Sequence, residues 1–437
     1  MKISTASISV SRTPGRPLSP ILAQVSLVGI AAFLAAYSVF DARALYSDAQ
    51  EVSPVGNIAT VASLGLLAIA ALSVVFSLAD RRTSVGILQF ALFAAFSGLL
   101  LARLYHDGLS SSYGTILVLA VLFSVSLQST SSEFILTSLA WSLRLLLLAS
   151  VIAVFFSPDW ALVPPERSGR ELFGLNSRLI GFSASPNYIA TAAGLLLLLE
   201  LFGHASRSVK LRVVSSFLCA VVLLWAQSRS VLFGVTLVIV LYLATRSKHG
   251  ARRLFVAASW SLIAVSAVLP MLDFRNSTFL GDDPSDLTTG RTEIWRSAAS
   301  ELGQYWLTGL PAEDAKYLLG GAFNAHNQIL ETLLSGGVLL LVANLALLFI
   351  ISVLILRNPL APPLAAALLL FISAQFLFGT PFRVTGLSWN LLLLSVLVLE
   401  ASALPFTSRY SDSLSYRNGS VPSRFGKLPT QKRMSAN

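Results

Sequence analysis

Four arginines and one histidine are the residues of this chain best placed to do chemistry, because each stands beside an apolar run or, for Arg291, at the head of an amphipathic segment. Arg178 opens Arg178-Leu-Ile-Gly-Phe-Ser-Ala-Ser-Pro-Asn187, where Asn187 is a candidate helix cap and, beside the arginine, a candidate substrate contact. Arg229 stands in Trp225-Ala-Gln-Ser-Arg-Ser230, between two apolar runs joined by almost no loop, and Arg291 heads an amphipathic segment. Arg383 ends Thr380-Pro-Phe-Arg383. A guanidinium is a planar fork that takes phosphate oxygens two at a time. A diphosphate arriving from the outer leaflet fits such a set.

His326 lies in Asn324-Ala-His-Asn-Gln328, where a long loop re-enters an apolar run. An unperturbed imidazole titrates near 6.5, which suits a general base or hydrogen-bond donor at neutral pH. The plainer account is a helix entry capped by Asn324 or Asn327, with the imidazole exposed. Asn327 is also a candidate substrate contact. For Arg229 the plainer account is snorkelling to the headgroups. Arg144 falls inside an apolar run, where an unpaired charge costs on the order of 3 kcal/mol, so burial against a carbonyl or in a polar cavity competes with a direct role.

The composition excludes most other classes. Of 437 residues, 55% are hydrophobic and 12% charged, half the charge of an ordinary soluble domain, and no stretch is polar enough to fold as one. The net charge of +10 points to the anionic inner leaflet and not to nucleic acid, since the basic residues gather at the ends of apolar runs and in both tails. One cysteine, Cys219, leaves no disulfide framework and no thiol metal site. Asp282, Asp283 and Asp286 form an acidic cluster in a loop; a solvated loop is the simpler reading, and no metal is expected.

Twelve apolar runs, several of them of spanning length, predict an all-α integral membrane protein with about 12 transmembrane helices. Residues 1–20 read as a cytoplasmic tail leading into an uncleaved anchor, 21–404 as the polytopic domain and 405–437 as a disordered basic cytoplasmic tail. With both termini inside, 19 of the 31 Lys/Arg fall on inner segments and 11 on outer ones, and the carboxylates lean the opposite way. Two outer loops are long, about 157–186 and about 273–328. Within the second, Ile294, Ala298, Leu302 and Tyr305 recur at helical spacing from Arg291 to Trp306, which predicts an amphipathic helix on the membrane surface, anchored by Trp295 and Trp306.

Arg-x-x-Gly leading to Pro-Asn at 178–187, Ser-Arg-Ser at 228–230, Gly-Arg-Thr-Glu-Ile-Trp at 290–295, and His-Asn at 326–327 before Ile-Leu-Glu and Gly-Gly-Val together resemble the O-antigen ligase and polymerase superfamily. The resemblance covers roughly 175–345. It implies a metal-independent glycosyltransferase of the bacterial inner membrane, its active site facing the periplasm. Such an enzyme passes a glycan from undecaprenyl diphosphate to an acceptor hydroxyl. By motif, Arg229 and Arg291 would hold the diphosphate and His326 would act near the acceptor; Arg178, Asn187, Asn327 and Arg383 are the further substrate contacts. Neither ligase, with a lipid A core acceptor, nor repeat-unit polymerase of O-antigen or exopolysaccharide is favoured. A polysaccharide transporter or flippase is the alternative, although the lopsided outer loop and the lack of paired, broken spans in matching halves speak against it.

Overall fold

Each of the twelve apolar runs falls on helix, as hydrocarbon demands of a backbone that must satisfy its own hydrogen bonds. The computed structural model describes residues 18–40, 55–79, 86–128, 132–163, 177–183, 185–202, 208–245, 248–271, 291–311, 314, 325–357, 363–379 and 389–403, all within the unit Met1–Leu404. The expected tail 405–437 lies outside them, as do Arg383, Asn324 and the Asp282–Asp286 cluster.

The helices are α1 (Leu18–Phe40), α2 (Val55–Ala79), α3 (Ile87–Ser126), α4 (Ser132–Phe156), the short α5 (Pro158–Ala161), α6 (Pro186–Leu201), α7 (Val209–Ala226) and α8 (Arg229–Ala244). They continue with α9 (Lys248–Val268, followed by the 3-10 turn Leu269–Met271), α10 (Arg291–Tyr305), α11 (Gln328–Arg357), α12 (Pro363–Gln375) and α13 (Trp389–Ser402). Two strands of two residues, β1 (Leu162–Val163) and β2 (Arg178–Leu179), pair antiparallel. Among the described residues, six helical segments are long and apolar enough to cross a membrane, and six more are apolar but shorter.

A straight helix as long as α3 would put its ends roughly 60 Å apart. Instead Gln89 Nε2, near its start, donates to the Ser126 carbonyl at its end, 2.8 Å away. The helix therefore doubles back, and its limbs 87–101 and 115–126 are the third and fourth apolar runs. The same end of the bundle is tied by Gln128 Nε2, which donates to Ser19 Oγ and Ser77 Oγ at 2.8 and 3.0 Å. Gln24 Nε2 donates to Ser138 Oγ between α1 and α4.

Three helices form the centre. In α12 every residue is buried, in α13 nearly every one, and in α6 the run Ile189–Glu200 is buried without a break. Such helices are apolar nearly all round because almost every side of them packs against other helices, Glu200 of α6 and Glu400 of α13 being buried exceptions. Their neighbours keep large apolar side chains outward, among them Phe90, Phe155, Phe217 and Leu243, as a lipid-facing surface would. Close approach is secured by small residues: a Cβ at Gly194 of α6 or Gly234 of α8 would meet the ring of Phe371 in α12 at 2.7 and 2.8 Å.

The mid-span Arg144 is buried and paired. Its Nη2 and Nε donate to Glu200 Oε1 of α6 at 2.5 and 3.0 Å, its Nε also meets Ser215 Oγ of α7 at 2.8 Å, and its guanidinium lies 4.7 Å from the centre of the Trp141 ring. Removing one partner of a buried pair strands the other, typically at about 3–5 kcal/mol, whereas replacing both by apolar residues is often neutral. Glu200→Leu should therefore lower the melting temperature far more than the double change Arg144→Met/Glu200→Met, as read by thermal unfolding in detergent.

Arg252 is drawn into the start of α9. The helix α9 begins at Lys248, several residues before the apolar run, so Arg252 enters its second turn and is buried.

Candidate functional site

The first corner of the site is built where β2 runs into α6. Strand β2 pairs Leu179 with Leu162 and Arg178 with Val163, and the Ala161 carbonyl then accepts from the N–H groups of Ile180 and Gly181 at 2.9 and 3.0 Å. Gly181 turns the chain with φ +55°, and a Cβ there would fall 2.3 Å from Ser150 Cβ, so only glycine fits. Ser150 Oγ holds the next residue by accepting the Phe182 N–H at 3.0 Å.

Helix α6 is capped by Ser185, whose Oγ accepts the Asn187 N–H at 3.3 Å, with Pro186 in the first position. This corrects the reading of Asn187 as the cap. Its side chain is exposed instead, and its Oδ1 lies 3.4 Å from Arg178 Nη2. Arg178 Nε donates to the Ala226 carbonyl at 3.1 Å, a cation closing the carbonyl end of α7. Beside it Gln227 adopts the left-handed conformation, φ 52°, and donates Nε2 to the Ser177 carbonyl at 3.4 Å. The chain thus passes from α7 to α8 through Gln227 and Ser228 alone, and Arg229 emerges exposed as the first residue of α8. Arg178, Asn187 and Arg229 are gathered at one corner.

The start of α8 is left without a side-chain cap. Ser228 makes no side-chain cap, and its buried hydroxyl has no partner among the described residues. The N–H groups of the first turn point out of the helix with no cap, carrying the positive end of its dipole beside the Arg229 guanidinium.

The second corner surrounds His326. The peptide before it is gripped from both sides: the Ala325 N–H donates to Glu331 Oε2 at 2.9 Å, and the Ala325 carbonyl accepts from Trp295 Nε1 at 2.8 Å. His326 itself is half-buried and takes the left-handed conformation, φ 51°, an uncommon state for a residue with a Cβ and one that must be held by its surroundings. Asn327 follows, wholly buried. Its Oδ1 accepts the Leu330 N–H at 3.1 Å as the cap of α11, and its Nδ2 donates to the Ser266 carbonyl and hydroxyl at 3.0 and 3.2 Å. With both amide atoms engaged, Asn327 positions His326 and presents no surface to a ligand.

Helix α10 does not lie on a membrane through both tryptophans. Trp295 and Ala298 are buried in a small core of their own with Leu310, Ala325, Leu330 and Leu334, while Trp306 remains exposed. The apolar stripe of α10 was legible in the sequence, but its partner is the first turns of α11. Arg291 begins α10, one turn before Trp295, so the indole bond to Ala325 brings the backbone at Arg291 close to the His326 turn. The side chain of Arg291 lies outside the described residues.

The two corners share one end of the bundle, either side of the end of α12. Ala374 of α12 packs where Gly234 leaves room, five residues beyond Arg229, and the Phe376 carbonyl accepts from the Gln328 N–H at 3.1 Å and from Ser266 Oγ at 2.8 Å.

Residues 214–345 match the profile of a family described as O-antigen ligase. That match supports a place in the O-antigen ligase superfamily for this stretch of the chain. That stretch holds Arg229, Arg291 and His326, together with Trp295 and Glu331, which grip the peptide before His326, whereas Arg178, Asn187 and the central α12 and α13 fall outside it. No curated protein and no solved structure matches the chain.

Glu331 and Trp295 are the contributions that residue typing missed. Glu331 closes the Ile329-Leu330-Glu331 run that follows His326 in the sequence, but its grip on a backbone N–H is a tertiary fact that spacing does not encode. A hydrogen bond to a charged group is worth roughly 1.5–3 kcal/mol, enough to decide whether a left-handed turn holds. Glu331→Leu should lower kcat about tenfold or more with little change in donor KM, and Glu331→Gln, which keeps an acceptor oxygen, should restore most of it.

Proposed function

We propose that this protein is a glycosyltransferase of the bacterial inner membrane that moves a glycan from undecaprenyl diphosphate to an acceptor sugar hydroxyl on the periplasmic face. The observation that supports the reading is that Arg229, on an uncapped helix start, and His326, on a clamped turn, lie at the same end of the bundle and within the stretch that matches the family profile. The first is suited to a diphosphate and the second to an acceptor proton.

In the proposed reaction the acceptor oxygen attacks the anomeric carbon as its proton passes to the His326 imidazole, and the bond from that carbon to the diphosphate oxygen breaks. Arg229, Arg291 and the free N–H groups of α8 stabilise the negative charge that collects on the leaving diphosphate. Asn187 and Arg178 flank the same corner and contact the donor, and Arg383 adds charge from the connection between α12 and α13. No metal is required in this scheme, since the arginines supply the positive charge.

The orientation proposed with it has twelve crossings, counting both limbs of α3, both termini in the cytoplasm and the 273–328 loop outside. The single native thiol, Cys219, is buried, so introduced cysteines report cleanly. Cysteines at Ser285 and Ser247 should label from opposite sides of intact spheroplasts; labelling from one side would exclude this arrangement.

The acceptor is a lipid A core sugar in a ligase and another lipid-linked repeat unit in a polymerase. Deleting the gene in its host and analysing lipid-linked glycans tests both: long polymer left on undecaprenyl diphosphate indicates a ligase, and single repeat units indicate a polymerase. Wild-type lipid-linked glycans would argue against transfer altogether.

A further inference from the structure

We propose that the Tyr305–Leu310 corner is a membrane-contact element, and that the face left exposed by Trp306 and Leu307 is covered by the lipid of the outer leaflet. The corner is locked to α11 at one place. Gly336 and Gly337 break that helix, and the backbone groups freed by the break are taken up by the corner: the Val338 N–H donates to the Trp306 carbonyl at 2.8 Å, and the Leu310 N–H donates to the Leu334 carbonyl at 2.7 Å. Gly337 has φ +64°, and a Cβ on it would meet the Leu307 carbonyl within 2.1 Å, so the fit leaves no room for adjustment.

The position of the break sets its depth. From Val338 to Arg357 the helix has about 20 residues and is roughly 30 Å long, the thickness of the hydrocarbon, with the basic Arg357 at its far end. The break therefore marks the boundary at the near end. Trp306 and Leu307 are 56% and 44% exposed there, and the exposed surface of α11 continues directly into Leu339 and Val342, 60% and 58% exposed. A tryptophan at that level has an apolar ring for the acyl chains and an N–H for the headgroups. Trp295, by contrast, is spent inside the small core and on the Ala325 carbonyl.

The consequence is a fixed height. Helix α10 is pinned to the bilayer boundary at its C-terminal end and to the His326 turn near its start, so Arg291 and His326 are held at a set distance above the hydrocarbon, where the diphosphate of a lipid-linked donor lies. This deepens the proposed function and rests on its orientation, but the test needs no glycan transfer, so one can fail without the other.

The full chain would carry a nitroxide label at Leu307→Cys, Leu339→Cys or Ser300→Cys, in vesicles of phosphatidylethanolamine and phosphatidylglycerol. Collision with dissolved oxygen is compared with collision with a water-soluble nickel chelate. The ratio of oxygen to nickel at 307 should be several-fold that at the exposed Ser300 and approach that at Leu339. A ratio at 307 equal to that at Ser300, or a site closed to both agents, would overturn the proposal by putting water or protein on that face. As a second measurement, vesicles with brominated acyl chains should quench more of the wild-type tryptophan emission than that of Trp306→Phe. Equal quenching of the two would contradict it.

Discussion

His326→Ala is expected to abolish most turnover while binding of the lipid-linked donor stays nearly intact. A sugar hydroxyl holds its proton far above physiological pH, and a positioned base typically contributes 10²–10⁴-fold. Because His326 sits at φ 51°, alanine also burdens the backbone, so the comparison needs a residue that accepts the left-handed state. His326→Asn does so without an imidazole base. If the imidazole is the base, both variants fall by the same large factor; recovery in His326→Asn would assign the loss to the turn. The pH profile gives the sign independently. A base acts when neutral, so the wild-type rate should be full above the histidine pKa and decline as pH falls through it, in a region near 6.5 for an unperturbed imidazole.

Arg229→Lys should lose most activity with the protein still accumulating in the membrane. The charge survives, but the bidentate fork that matches two phosphate oxygens does not. Arg229 is exposed beside a helix start whose N–H groups have no cap, so its loss should appear in donor KM as well as kcat. Near wild-type turnover in Arg229→Lys would make a snorkelling anchor the better account. The same change at Arg291 should give a similar loss, since both are assigned to one diphosphate.

What could be read from residues alone follows how local each feature is. The helices were legible because an apolar run of spanning length has only one way to satisfy its backbone, and the stripe of α10 because its periodicity is local. The cap of α6 was misplaced by two residues: Ser185 and Asn187 are both good caps by type, and Pro186 in the first helical position decides for the serine before it. Two partners could not be read. Arg144 finds Glu200 56 residues away, and Trp295 finds the Ala325 carbonyl 30 residues away, so each depends on how helices pack. Trp295 and Trp306 look alike as interfacial anchors, and tertiary packing buries one and leaves the other out.

Transfer by purified protein tests the central claim most directly. The full chain in vesicles, supplied with a purified undecaprenyl-diphosphate-linked glycan and an acceptor glycan in the presence of EDTA, should release undecaprenyl diphosphate in step with lengthening of the acceptor, and His326→Asn should stop both. Movement of the intact lipid-linked glycan between leaflets, with no diphosphate released and no acceptor lengthened, would contradict the account and identify a transporter.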